Sequence, residues 1–209
     1  GVIVDTAKYH YLAWRKLANE LGFEFTKEQN ELFKGVSRKR CLEILLDIGN
    51  VKATQKQFDT WMIEKNVDYL AYIEKMDASE ILPDVPRVLN FLKERNIPIA
   101  LGSASKNAKP ILEKVGLLPY FDSIVDGNNV TKAKPDPEVF LIAADNLKVK
   151  PELCVVFEDA VAGIQAANAA DMVSIGIGDP DILKEAQYNF KDFTEIDNQF
   201  LELLLNKNK

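Results

Sequence analysis

Apolar positions follow two different periods along the chain, and the change comes near residue 79. From Ala7 to Leu21 the residues Leu12, Leu17 and Leu21 recur at helical spacing, with Gly22 as a stop signal. Thr26 with Gln29 three residues on has the form of a capping box and opens a short helix to Phe33. Ser37 is a good N-cap for a helix from Arg38 to Ile48, which Gly49 ends. Thr54 to Met76 predicts one long helix, roughly 34 Å at about 1.5 Å per residue. Its apolar side is Phe58, Met62 or Trp61, Val67, Leu70 and Ile73, with Lys65 and Asn66 interrupting it and free to face a cleft. No stretch from Ala7 to Ala78 reads as a strand, so this part is expected to be all helical.

Beyond it the period alternates. Strands are predicted at Ile97–Leu101, Ser123–Val125, Leu153–Phe157 and Met172–Ile177, and Val2–Val4 reads as the tail of another. Helices fall between and after them, over residues 82–95, 108–115, 136–146, 160–170 and 197–205. Strands alternating with helices imply an α/β fold with a Rossmann-like, doubly wound parallel sheet. The helical block is then an insertion near the start of that domain. The expected division is a core of residues 1–6 and 79–209 and a helical cap of residues 7–78, with short linkers that can act as hinges.

A chain of 209 residues suits one domain or a core with a smaller insert. The net charge of -6, without a basic stripe carrying interleaved aromatics, argues against a nucleic-acid partner. Two cysteines, Cys41 in a predicted helix and Cys154 in a predicted strand, do not make a disulfide framework, which is a cytoplasmic pattern. No apolar run approaches the roughly 20 residues of a membrane helix, and no signal-peptide architecture is visible. A monomer acting on a small molecule is expected.

Candidate chemistry gathers where apolar strands stop. In an open parallel sheet that is the carboxyl edge, where ligands bind. Ser103-Ala104-Ser105-Lys106-Asn107 offers hydroxyls, a cation and a helix N-terminus, either a phosphate cradle or an ordinary capped helix. In Lys132-Ala133-Lys134-Pro135-Asp136-Pro137, Pro137 suits a first helical turn and Asp136 its cap, which holds Lys134 at the sheet edge. Glu158-Asp159 is either a divalent-metal pair or a helix cap beside a solvated acid. Hydroxyl loop, lysine and acidic pair together are what phosphoryl transfer requires: donors, a cation and a metal to balance charge.

On the helical side, Thr6, His10 and Trp14 stand at i, i+4 and i+8 on one stripe, where His10 either completes a packed wall or contacts a ligand. Arg38 and Arg40, at the start of a helix after Gly35 and Ser37, are an anion site or plain surface charge. Cys41, one turn in, reads as a small packing residue.

GVIVDT, SASKN, KAKPDPEVF and FEDAVAGI, in that order, resemble the four motifs of the haloacid dehalogenase superfamily across the whole chain. The segments DTAKYHYLAW and KGVSR, with Lys65-Asn66, resemble the cap of its sugar phosphomutases, which act on β-glucose 1-phosphate. That resemblance implies Mg²⁺, an aspartyl-phosphate and a bound glucose 1,6-bisphosphate, the product being glucose 6-phosphate. It implies that Ser103, Ala104 and Lys134 hold the transferring phosphoryl group and that Glu158 and Asp159 serve the metal. Arg38, Ser105, Lys106 and Asn107 would hold the second phosphate. His10, Trp14, Gly35, Val36, Ser37 and Lys65 would line the sugar side, and Thr6 the hinge.

Two departures stand out. The superfamily's nucleophile and acid/base are the aspartates of an Asp-x-Asp-Gly motif, and the match begins at its glycine, Gly1, so both are expected just upstream. Cys41 replaces a serine of the pattern. The alternatives are a sugar-phosphate phosphatase of the same superfamily, or a non-catalytic sugar-phosphate sensor if the aspartates are truly absent.

Overall fold

The computed structural model describes residues 1–207. Four helices come first: α1 (Ala7–Glu20), α2 (Lys27–Asn30), α3 (Arg38–Ile48) and α4 (Gln55–Ile73). Their ends are set by the expected chemistry. The Thr26 hydroxyl accepts the Gln29 N–H while the Gln29 side chain accepts the Thr26 N–H, and Ser37 Oγ accepts the Arg40 N–H at 3.4 Å. Trp14, Leu17, Phe25, Leu42 and Leu45 form their common core.

Two of the expected apolar faces are drawn differently. Leu12 is 37% exposed, and Ala13, Trp14, Leu17 and Ala18 carry the inward face of α1. On α4, Val67 is 60% exposed and the buried stripe is Lys65, Tyr69 and Ile73. The reason is that the second half of α4 lies against a cavity as well as a core, so a lysine takes an inward position that apolar counting assigns to a valine.

The remainder alternates, with β1 shorter than the expected Ile97–Leu101 and β5 not expected at all: α5 (Val85–Glu94), β1 (Ala100–Gly102), α6 (Ala108–Lys114), β2 (Ser123–Val125), α7 (Glu138–Leu147), β3 (Val155–Glu158), α8 (Val161–Ala169), β4 (Val173–Ile177), β5 (Tyr188–Phe190) and α9 (Asn198–Lys207). All strand pairs are parallel, β1 with β2 and β3 with β4 with β5. Helices α7 and α8 pack on one face through Val139, Phe140, Ala166 and Ala167. Residues of α5, α6 and α9 cover the other through Val88, Leu89, Ile111, Leu201 and Leu204. The β1–β2 and β3–β5 pieces share no strand pairing among the described residues, and Ala100–Gly102 and Val155–Glu158 line one cavity between them.

The strand expected at Val2–Val4 is reduced to a single antiparallel bridge, Val4 to Ile81. Around that bridge the Asp5 N–H donates to Glu80 O and the Leu82 N–H to Ile3 O, both at 3.0 Å. The two linkers that join the helical block to the rest are therefore bonded to each other.

Candidate active site

The acidic pair is decided by local bonding. Helix α8 takes Ala160 as its N-cap residue and receives no side-chain cap bond, so Asp159 is not the cap. Glu158 is only 5% exposed, which excludes a solvated first-turn acid. Its Oε2 accepts the N–H groups of Asp159 (2.9 Å) and Ala160 (3.1 Å), and its Oε1 accepts from Lys134 Nζ. Gly163, one turn into α8, leaves the room this carboxyl occupies; a methyl group there would collide with it. Asp159 is half-buried, its carboxylate lies against Gly1, and it accepts no hydrogen bond among the described residues.

Lys134 is held from three sides. Its ammonium pairs with Glu158, donates to Gly102 O at 3.2 Å and lies 4.7 Å from the Phe140 ring centroid. Both partners of the ion pair have side chains less than a tenth exposed, 5% and 7%. Beside it Asp136 Oδ1 accepts the Glu138 N–H at 3.0 Å, but the N-cap residue of α7 is Pro137 and not the expected Asp136. The helix runs over Glu138–Leu147, two residues later at its start than the expected 136–146.

The loop after β1 is braced by its own hydroxyls. The Ser105 N–H donates to Ser103 Oγ and the Asn107 N–H to Ser105 Oγ, each at 3.1 Å, while the Ser103 N–H reaches Val125 O at 2.9 Å. Gly127 allows the neighbouring loop to close on it, since a Cβ there would stand 2.8 Å from Ala104 O. This is an ordered turn of hydroxyls and amides at a strand end, suited to a phosphate.

Across the cavity stands the wall formed by α1, α3 and α4. Lys65 is 2% exposed, its Nζ 2.9 Å from His10 Nδ1 and over the rings of Trp14 (4.5 Å) and Tyr69 (4.8 Å). Burial, then the nearby Arg38 charge, pushes the Lys65 amine down to about 7. Burial and the Lys65 charge hold the His10 imidazole well below its ordinary value, so it stays neutral and can accept from Lys65. The His10 ring stacks on Tyr69 at 4.0 Å and 14°. Tyr69 escaped sequence reasoning, although its position four residues after Lys65 places it on the same helix face.

Arg38 is half-buried and its guanidinium makes no ion pair or hydrogen bond among the described residues; burial lowers its pKa. Gly35 has φ +71° and comes so close to the core that an added Cβ would lie 2.8 Å from Ala160 Cβ. Cys41 is buried, burial raises its thiol to about 12, and Sγ lies 3.7 Å from Val36 O and 3.8 Å from Phe33 O. It packs the loop and is no nucleophile at neutral pH.

One cavity, which also runs between β1 and β3 to Leu89 of α5 and Leu204 of α9, is lined by Thr6, His10, Trp14, Gly35, Val36, Ser37, Arg38 and Lys65 from the helical wall. Ser103, Ala104, Ser105, Lys106, Lys134, Glu158 and Asp159 line it from the strand ends. Asn107 is not part of the lining; its side chain donates to Asn66 Oδ1 at 3.0 Å. Two roles are narrower than the sequence suggests. Trp14 is 1% exposed, packed edge-on against Phe33 at 5.7 Å, and the Ser37 hydroxyl is spent on its cap.

The Asp159 carboxylate, which has no other partner among the described residues, suits a hard divalent cation, while the Glu158 oxygens beside it are shared with two N–H groups and Lys134. No group of three or more His, Cys, Asp and Glu side chains is placed to hold a metal among the described residues. None of the described helices is long and apolar enough to cross a membrane.

A family model for haloacid dehalogenase-like hydrolases matches residues 1–171. A β-phosphoglucomutase of Bacillus subtilis (strain 168) is 42% identical over 180 residues, 85% of this chain and 80% of its own. The crystal structure of a β-phosphoglucomutase from Clostridium difficile superposes with a TM-score of 0.94 at 39% identity, covering 99% of this chain and 94% of that one. A phosphorylated carbohydrates phosphatase of Thermotoga maritima is 32% identical over 180 residues, 84% of this chain and 80% of its own.

Proposed function

We propose that this chain, which belongs to the haloacid dehalogenase-like hydrolase family, is a β-phosphoglucomutase that interconverts β-glucose 1-phosphate and glucose 6-phosphate. The observation that carries the reading is Arg38, a half-buried cation without a counter-charge, in the same cavity as the Lys134–Glu158 pair. A mutase working through a bisphosphate needs two phosphate positions, and these are two.

In this reading the Ser103 hydroxyl, the Ala104 backbone and Lys134 hold the transferring phosphoryl group, whose negative oxygens their fixed dipoles and charge oppose. Arg38, Ser105 and Lys106 hold the other phosphate, and Asn107 stands at its edge. His10, Gly35, Val36 and Lys65 face the sugar, with Trp14 and Ser37 behind them, and Lys65 and the neutral His10 supply its polar contacts. Glu158 and Asp159 would hold Mg²⁺, which would offset charge on the phosphoryl oxygens.

Residues 7–78 then act as a cap over a core of residues 1–6 and 79–209, with Thr6 at the hinge. The Gly35–Ala160 approach supports closure tight enough to keep out water, which a sugar hydroxyl must outcompete for the phosphoryl group. The protein is read as a cytoplasmic monomer.

The Thermotoga maritima relative favours a second reading, a sugar-phosphate phosphatase. Phosphorus and proton NMR of the full-length protein with Mg²⁺ and β- or α-glucose 1-phosphate separates the two. Glucose 6-phosphate formed from the β anomer alone is the expected product. Free glucose and inorganic phosphate as the main products reject the mutase.

A further inference from the structure

The loop after β1 is bonded to the core at nearly every residue, yet its last side chain reaches the other way. Beyond the serine ladder, the Gly127 N–H donates to Ser105 O at 3.1 Å and Asn128 Nδ2 to Lys106 O at 3.0 Å. Asn107 Nδ2 instead donates across to Asn66 Oδ1 on α4, at 3.0 Å. Asn66 directly follows Lys65, the buried amine bonded to His10, and Asn107 directly follows Lys106, which lines the cavity. A second side-chain tie near this part of the core runs from Lys114 to Glu74, just past the end of α4, at 2.9 Å; it is more than a third exposed on both sides and is screened.

We propose that Asn66 is a positioning residue whose amide pairs with Asn107 to latch α4 to the anion loop. Because Lys65 is on the same turn, one hydrogen bond sets the cap's closure, the seat of Lys65 and the order of the loop end together. The paired linkers at Val4 and Ile81 form the pivot, and the amide pair is the clasp away from it. An amide NH₂ has two donors, so the N–H that Asn66 does not take is left for an anion. This rests on the sugar-phosphate reading only for what the second N–H meets.

The latch itself is tested without ligand, by electron-electron distance measurement between spin labels at Glu64→Cys on α4 and Lys109→Cys on α6. The background carries Cys154→Ser, and Cys41 is buried. The expected result is a dominant short distance that Asn66→Ala shifts about fivefold toward longer separations, equivalent to about 1 kcal/mol, and that Asn66→Asp, which keeps the acceptor, restores. An unchanged distribution in Asn66→Ala, or an Asn66→Asp distribution as open as that of alanine, overturns the proposal.

Titration with glucose 6-phosphate adds the functional arm. Asn66→Ala should weaken binding about fivefold, and in turnover raise KM with little change in kcat, as loss of positioning in the ground state predicts. Equal affinity in Asn66→Ala and the unaltered protein overturns the positioning role. An unaltered protein that does not bind glucose 6-phosphate rejects the sugar-phosphate reading, and the label distances still decide the latch.

Discussion

The two walls of the cavity carry their charge in opposite ways. At the strand ends the two buried charges answer each other: Glu158 accepts from two backbone N–H groups and Lys134, and Lys134 also serves Gly102 O. On the helical wall Arg38 has no counter-charge, and Lys65 leans on a neutral imidazole and two rings. The first arrangement is stable without substrate and fixes donors in advance, which is what transition-state stabilisation requires. The second keeps cations out of water without neutralising them, a cost in the free protein that an anion would offset. A rigid, self-satisfied wall and an electrostatically hungry one together describe a site that does chemistry on one side and selects its ligand on the other.

That contrast can be broken first at Lys134. Lys134→Ala should leave the buried Glu158 carboxylate unpaired and lower unfolding free energy by about 3–5 kcal/mol, read from urea denaturation at pH 7. A loss under about 1 kcal/mol would mean that the strand-end wall is not held by this pair. Lys65 should respond with the opposite sign. Its pKa of about 7 in the fold lies below the ordinary lysine value of 10.5, so between those limits the unfolded chain binds the extra proton. Stability from this residue therefore rises as pH rises through that window and is least below pH 7. Lys65→Met should stabilise the ligand-free protein by about 2 kcal/mol at pH 6.5, flatten the rise between pH 7 and 9, and weaken glucose 6-phosphate binding about tenfold. Destabilisation by Lys65→Met would make the amine a structural anchor instead. The smallest stability effect is expected at Arg38, where alanine should change unfolding free energy by no more than about 0.5 kcal/mol. It should still weaken glucose 1,6-bisphosphate binding by a factor of about 10 to 100, the worth of a charge-assisted bond. Undiminished bisphosphate affinity would remove Arg38 from the second phosphate position.

Much of this was legible in the residues. Thr26-x-x-Gln29 and Ser37 signal helix starts through local bonding that needs no tertiary partner, and both are found as expected. Ser103, Lys134 and Glu158 stand where apolar strands stop, and strand ends in a parallel sheet share one edge. What escaped depends on neighbours distant in sequence. Tyr188–Phe190 is too short to signal a strand alone and pairs because β4 lies beside it. Val67 and Leu12 look apolar and inward by period, but only the packed helices decide which side meets the cavity. Trp14 looks like a sugar platform, yet it is packed edge-on against Phe33.

The sequence by itself determined the alternation of helix and strand, the helix caps and the order in which hydroxyl loop, lysine and acidic pair reach the sheet edge. Those features rest on backbone geometry and on bonds a few residues long. Only the tertiary structure decided that Glu158 is buried against Lys134 instead of solvated, that burial lowers the Lys65 pKa beside His10, and that Asn66 meets Asn107. Each of those depends on desolvation or on a contact between segments at least 24 residues apart, and no local pattern encodes how much water a charge will keep.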